Sequence, residues 1–157
     1  MPQVTEPLCV LLLPARLEEF VLADHARALL DIPRVLALEP GRFRTPRVLR
    51  QSAAAHTAKR LRLPGDPRVL VLYHPRQYLL ARAMCARYQQ AELWYVLPDP
   101  SELDPEAEEL DLLSRERATP ARMLSREEPP EPLRQRLREL EIVSSRPFVP
   151  GARIVDR

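Results

Sequence analysis

Glycine is nearly missing from this chain. Only 3 of the 157 residues are glycine, and Gly41, Gly65 and Gly151 stand alone, so neither a G-x-G-x-x-G nor a G-x-x-x-x-G-K-[ST] loop is present. Phosphate loops need clustered glycines so that the backbone can approach the phosphate. We therefore expect no dinucleotide site, no P-loop site and no bound cofactor. No serine is flanked by glycines at the spacing of a nucleophile elbow either, so hydrolase chemistry has no support.

Cysteines and long apolar runs are also scarce. Cys9 and Cys85 lie far apart, each inside an apolar stretch, and indicate buried thiols in a reducing compartment rather than a disulfide or a metal site. The longest uninterrupted apolar run, 8–13, is too short to span a bilayer. The first residues lack the basic region of a secretory signal. These features predict a cytoplasmic protein without a metal site, with peripheral membrane contact left open.

Proline and arginine are the plentiful residues. There are 18 prolines, and 23 of the 24 basic residues are arginine, with Lys59 the single lysine. Arginine suits contacts to phosphate and carboxylate, but a GC-rich genome produces the same bias. Residues 1–97 carry 14 basic and 8 acidic side chains, a net of +6, whereas residues 98–157 carry 10 and 14, a net of −4. Opposite charge predicts attraction between these two parts.

Four short apolar runs, each followed by a proline-marked loop, predict strands. They cover residues 8–13, 34–38, 68–73 and 92–97. A continuous apolar run is typical of a parallel strand that is buried on both faces of its sheet.

Segments with helical spacing separate these runs. They cover residues 16–30 and 45–61, and a third begins at His74-Pro75. Alternating strands and helices imply right-handed crossovers and a parallel sheet covered on both faces. The fold class predicted is α/β, a Rossmann-like three-layer sandwich with a mostly parallel four-stranded sheet in residues 1–100. Periodicity does not fix the spatial order of the strands, for which 3-2-1-4 is the commonest Rossmann-like choice.

Residues 101–157 predict a helical, proline-rich C-terminal extension. An acidic helix runs from Ser101 to about Arg117, and its carboxylates indicate a solvated face rather than a calcium loop. After a proline-rich linker at 127–132, residues 132–142 form a short amphipathic helix. Its apolar stripe consists of Leu133, Leu137 and Leu140. The stripe and the charge asymmetry predict docking on a partner protein.

The loops after the predicted strands nominate a ligand site, because open parallel sheets bind ligands outside the carboxyl ends of their strands. His74 is the most suggestive group, since it follows a buried strand and begins a helix. There a neutral imidazole meets an anion or accepts a proton, or merely caps the helix. The candidate cleft residues are Arg16, Arg42, His74, Gln77, Tyr78 and Asp99.

The remaining histidines and the basic residues carry weaker signals. His25 and His56 lie beside apolar residues within predicted helices, which favours structural roles. The basic residues of 45–62 have no interleaved aromatic residues and no recognised motif, so nucleic-acid binding is not expected.

The segment 69–83, in which a strand ends in a His-Pro pair and leads into a helix, resembles the N-terminal half of some bacterial GT-B glycosyltransferases. Residues 91–95 continue the resemblance, and the tail 146–155 is similar to a proline- and glycine-punctuated segment in some of these enzymes. Such enzymes have two facing Rossmann-like domains, and the C-terminal one holds most of the nucleotide-sugar. This chain has no room for that second domain.

The resemblance implies an acceptor-side half, a fragment or a degenerate relative, none of which is catalytic alone. As an acceptor-side half, it is expected to bind a sugar acceptor or a partner domain that holds the nucleotide-sugar. Its acceptor-side loops correspond here to Arg16, Arg42, His74 and Asp99. The alternative is a non-catalytic interaction or scaffold subunit that docks on a partner through residues 101–157.

Overall fold

The structure, a computed structural model, describes residues 7–14, 22–38 and 65–144, together with His56, Ala58, Lys59 and Leu63. The strands are β1 (Cys9–Leu12), β2 (Val35–Leu38), β3 (Val69–Leu72), β4 (Glu92–Val96) and β5 (Met123–Leu124). The helices are α1 (Ala23–Leu30), α2 (Tyr78–Arg87), α3 (Pro105–Ala118) and α4 (Glu131–Ser144). Short 3-10 turns precede α2 at Pro75–Gln77, precede α3 at Pro100–Glu102 and precede β5 at Pro120–Arg122.

All five strands belong to one parallel sheet with the order β2-β1-β3-β4-β5. This is the 2-1-3-4-5 order of the flavodoxin-like doubly wound fold, and it differs from 3-2-1-4. The chain runs outward in one direction from β1 to β2 and in the other from β3 to β5. The strand order therefore reverses between β1 and β3.

Alternating side chains divide the core between the two faces of the sheet. Cys9 and Leu11 of β1 join the cluster that contains α1 and α4. Val10 and Leu12 join the cluster that contains α2, α3 and the helical residue Ala58. Because β1 is apolar at every position, it can be buried on both sides without an unpaired polar side chain. The predicted α/β three-layer class is confirmed, with five strands in place of four.

Helix α3 begins where its sequence provides a cap. The Asp104 carboxylate accepts the backbone N–H of Ala107 at 2.8 Å, and Pro105 occupies the first helical position, where its missing N–H costs nothing. Arg115 lies in the last turn, near the negative end of the helix dipole, and pairs with Asp111 at 3.0 Å.

The described part of the predicted C-terminal extension, 101–144, belongs to the same sandwich. Strand β5 pairs with β4, and α4 packs on the face that α1 also covers. Leu133 and Leu137 are fully buried there and Leu140 is 5% exposed. The leucine stripe is therefore covered by the chain's own sheet and is not open to a partner. An apolar stripe shows that one face of a helix is covered, but not whether the same chain or a partner covers it. Strand β5 has only two residues, which is too short to be recognised as a strand in the sequence.

The remaining predicted segments fall partly outside the described residues. Of the helix predicted at 16–30, the structure describes Ala23–Leu30 as helical. Of the helix predicted at 45–61, it describes His56, Ala58 and Lys59, all helical. The tail from residue 145 onward lies outside the described residues.

Candidate functional site

Four of the six candidate cleft residues follow strands at the carboxyl edge of the sheet: His74, Gln77, Tyr78 and Asp99. The other two, Arg16 and Arg42, lie outside the described residues. His74 follows β3 directly. Its Nδ1 accepts the backbone N–H of Arg76 at 3.1 Å, so the imidazole caps the turn at Pro75–Gln77. Arg76 in turn pairs with Asp104 and lies 3.8 Å from the carboxylate of Glu106. The loop after β3 is therefore held against the start of α3.

Gln77 joins the two strands between which the strand order reverses. It is fully buried, and its Nε2 donates to the carbonyl oxygen of Leu13, just beyond β1, at 2.8 Å. Tyr78, which follows it, is buried in the apolar cluster that contains Leu80 and Met84. Gln77 thus braces the reversal point, and Tyr78 contributes to the core.

Asp99 is exposed in the loop after β4 and caps the 3-10 turn there. Its carboxylate accepts the backbone N–H of Ser101 at 3.0 Å and the Ser101 hydroxyl at 2.9 Å. The backbone and side-chain hydrogen bonds of Ser101 hold the pKa of Asp99 below its usual range. These hydrogen bonds give Asp99 a local structural role, which is to cap the turn.

A cleft of about 300 Å³ opens beside these loops, on the face of the sheet that α1 and α4 cover. One wall is the start of α1, with Asp24, His25 and Ala28. The other wall is the segment 126–130, which connects β5 to α4. The cleft lies at the carboxyl edge of the sheet, since α1 follows β1 and this segment follows β5. This is the edge at which doubly wound folds bind ligands.

His25 lines this cleft and contacts the buried Tyr73, and we refer to the site as the cleft of His25 and Tyr73. The Tyr73 hydroxyl lies 2.9 Å from His25 Nδ1, and the two rings meet edge to face with centroids 5.4 Å apart. His25 is 7% exposed and Tyr73 is 3% exposed. Within the part of the chain that the structure describes, His25 Nε2 is buried without a hydrogen-bond partner.

Either tautomer of His25 leaves the hydrogen-bonding capacity of Nε2 unused among the described residues. If the phenol donates to Nδ1, Nε2 carries the proton and is a donor. If Nδ1–H donates to the phenol oxygen, Nε2 is an acceptor. A hydroxyl group both donates and accepts, so it complements both states. Burial of an unpaired polar atom of this kind costs about 1–3 kcal/mol.

Burial sets the protonation of this pair. Desolvation lowers the pKa of His25 to about 4, so its imidazole is neutral at pH 7. Desolvation, and to a smaller extent the nearby Cys9, raises the pKa of Tyr73, so this phenol keeps its proton at pH 7. The His25–Tyr73 pair is therefore polar but uncharged.

The rim of the cleft is acidic. Among the described residues it carries the carboxylates of Asp24, Glu127 and Glu128 and one cation, Arg126. Arg126 already lies 3.4 Å from the carboxylate of Glu102. Three carboxylates around one paired guanidinium disfavour an anionic ligand and favour a neutral or cationic one.

A second ionic cluster lies at the opposite edge of the sheet, where β4 begins. Arg136 of α4 contacts both carboxylate oxygens of Glu92, the shortest contact being 2.6 Å. Trp94 Nε1 donates to the same carboxylate at 3.3 Å, and Arg122 approaches it to 3.7 Å. This cluster fastens α4 to the sheet and is remote from the carboxyl edge.

A larger groove of about 940 Å³ runs along α2, beside Ala58 and Lys59. Its described lining includes Arg82 and Arg87, together with Leu79 and three alanines. None of its described polar side chains is buried without a partner. The small cleft at the carboxyl edge is therefore the better candidate site, although the groove is larger.

The described residues hold no group of three or more histidine, cysteine, aspartate or glutamate side chains placed to bind a metal ion. None of the helices in the described ranges is long and apolar enough to cross a membrane. Comparison with protein-family models, with curated proteins and with solved structures found no match.

The sequence nominated neither His25 nor Tyr73 for this site. Tyr73 reads as the last residue of an apolar strand, and His25 as one polar residue in an amphipathic helix. The available signal was positional. Tyr73 stands at the carboxyl end of β3, and His25 stands in the first turn of the helix that follows β1.

Proposed function

We propose that this protein is a glycosyltransferase-like module that binds a sugar acceptor in the cleft of His25 and Tyr73. It is the acceptor-side half of such an enzyme and is not catalytic alone. The observation that carries the proposal is His25 Nε2, a buried nitrogen without a partner among the described residues, which belongs to a residue that lines a cleft at the carboxyl edge. A sugar hydroxyl satisfies this nitrogen in either tautomer.

The size and lining of the cleft agree with a small sugar. A volume of about 300 Å³ is at the lower end of ligand sites, which suits one or two sugar rings. Ala28, Pro129 and Pro130 supply apolar surface for the C–H face of a ring, and the carboxylates accept hydrogen bonds from its hydroxyls. The absence of a glycine-rich phosphate loop from the sequence assigns the nucleotide-sugar to a partner domain. Buried, free Cys9 and Cys85 suit the reducing cytoplasm in which we place this function.

Binding of neutral monosaccharides to the full chain tests the proposal. Saturation-transfer NMR with glucose, galactose, mannose and N-acetylglucosamine should show transfer to at least one sugar. The His25→Gln variant should weaken that transfer, and the matched His56→Gln variant, at an exposed helical position, should retain it. Absence of transfer to every sugar, or equal transfer with both variants, overturns the proposal.

A second candidate is the non-catalytic interaction subunit. Its predicted contact, the stripe of Leu133, Leu137 and Leu140, is buried within the chain. A different feature favours it, because Leu112 and Leu113 stand side by side on α3 with 68% and 41% exposure. If this face of α3 binds a partner protein, replacing both leucines by serine should abolish the complex with that partner and leave the stability of the fold unchanged. An unchanged complex contradicts this candidate.

A further inference from the structure

We propose that the cleft of His25 and Tyr73 selects a sugar that carries a protonated amine, so that an amino sugar binds more tightly than its neutral or anionic counterparts. This inference rests on the proposed function, since it names the class of sugar that the same cleft takes. It combines two independent features of the site: the unpartnered nitrogen of His25, which lines the cleft, and the excess of carboxylates among the described rim residues.

The rim supplies the charge selection. Glu127 and Glu128 are exposed, and neither carboxylate makes an ion pair in the described structure. Asp24 stands across the cleft and has one exposed contact, 3.7 Å from Arg27. Arg126, the single cation among the rim residues that the structure describes, is already engaged by Glu102. An ammonium group entering between the two walls therefore meets uncompensated negative charge.

His25 supplies the orientation. The imidazole of His25 remains neutral near pH 6, because burial lowers its pKa to about 4, and it does not repel an ammonium group. Its Nε2 binds a ring hydroxyl, while the amine of the same ring lies toward the carboxylates. A simple cation lacks the hydroxyl for Nε2, and a neutral sugar lacks the charge for the rim. An amino sugar satisfies both.

Three sugars that share one ring framework test this selection: glucosamine, N-acetylglucosamine and glucuronate. Affinities for the full chain are measured by amide chemical-shift titration at pH about 6, below the pKa of an amine. We expect glucosamine to bind roughly fivefold more tightly than N-acetylglucosamine, the gain of a solvent-exposed ion pair, and glucuronate to bind most weakly. Added salt should reduce the difference, because exposed charges are screened.

Two variants connect the preference to the rim. The double variant Glu127→Gln, Glu128→Gln should reduce the ratio of the glucosamine and N-acetylglucosamine affinities to about one or two, as removal of exposed pairs predicts. The control Glu116→Gln removes an exposed carboxylate from α3 and should leave the ratio unchanged.

The outcomes separate this inference from the function on which it rests. If N-acetylglucosamine or glucuronate binds as well as glucosamine, or the double variant keeps the full preference, charge selection is overturned and sugar binding stands. If none of the three binds, charge selection is overturned, and the proposed function fails with it unless glucose, galactose or mannose shows transfer. If glucosamine is preferred and the preference disappears in the double variant alone, both are supported.

Discussion

Replacing Leu137 by alanine tests whether α4 belongs to the folded core. Leu137 is fully buried on the sheet face that α1 also covers. The change removes the transfer free energy of the side chain and leaves a cavity, which together cost about 2–5 kcal/mol at such positions. Domains of this size are stable by about 5–15 kcal/mol. One substitution should therefore remove a large part of the free energy of unfolding.

Ile142 of the same helix provides the matched control. It is 69% exposed, so Ile142→Ala makes the same type of truncation without opening a cavity in the core. We expect a change within about 0.5 kcal/mol for this surface position. Both variants gain a little helix propensity from alanine, so the difference between them isolates burial.

Urea unfolding followed by circular dichroism measures the difference. With a slope of about 1–3 kcal/mol per molar urea, Leu137→Ala should lower the midpoint by about 1–2 M, and Ile142→Ala should hardly move it. Equal midpoints for the two variants would refute the packing of α4 described above. In that case Leu133, Leu137 and Leu140 would again be available to a partner protein.

Three further changes test the buried polar groups. Glu92→Gln should destabilise the fold by about 1–3 kcal/mol at pH 7, because it weakens the contact with Arg136. Burial raises the pKa of Glu92, but the hydrogen bond and charge of Arg136 outweigh burial and lower this pKa overall. The difference in unfolding free energy between the parent and Glu92→Gln, measured by urea titration, should therefore shrink as the pH falls through the lowered pKa. A difference as large at low pH as at pH 7 would argue against this role of Glu92. In the parent, the free energy of unfolding should fall by up to about 3 kcal/mol between pH about 6.5 and about 4, because His25 is protonated there in the unfolded chain and not in the folded one. The His25→Gln variant should lack this fall. Parallel pH profiles of the two proteins would contradict the lowered pKa of His25. Tyr95→Phe removes the donor that binds the buried carboxylate of Asp111 at 2.6 Å, and thermal unfolding should show a loss of about 1–2 kcal/mol rather than a gain.

The fold class could be predicted because each of the first four strands is apolar at nearly every position. The runs containing β1 and β3 admit no alternation, so each strand must be buried on both faces, and the helical spacing between them supplies the covering layers. Strand β5 escaped prediction because only two residues of it pair with β4. Because β5 extends the sheet, the helix α4 that follows it covers a face of this sheet and is not an appendage.

The candidate site was predictable as an edge of the sheet but not as a set of side chains. The sequence identified the loops after β1, β3 and β4, and the cleft opens at that edge. It could not show that Gln77 is engaged by a backbone carbonyl, that Tyr78 packs inward or that Asp99 caps its own turn. Each of these outcomes depends on where a side chain points after a turn, and residue type alone does not determine that.

The His25–Tyr73 contact depends on strand order, which periodicity does not determine. Helix α1 follows β1, and Tyr73 follows β3, so the two residues can meet because β1 and β3 are neighbours in the order 2-1-3-4-5. In the order 3-2-1-4, β2 would lie between them and separate the pair by a further strand spacing of about 4.8 Å. The polar wall of the cleft is thus a consequence of the reversal between β1 and β3. A sequence pattern that leaves strand order open necessarily leaves this pair undetected.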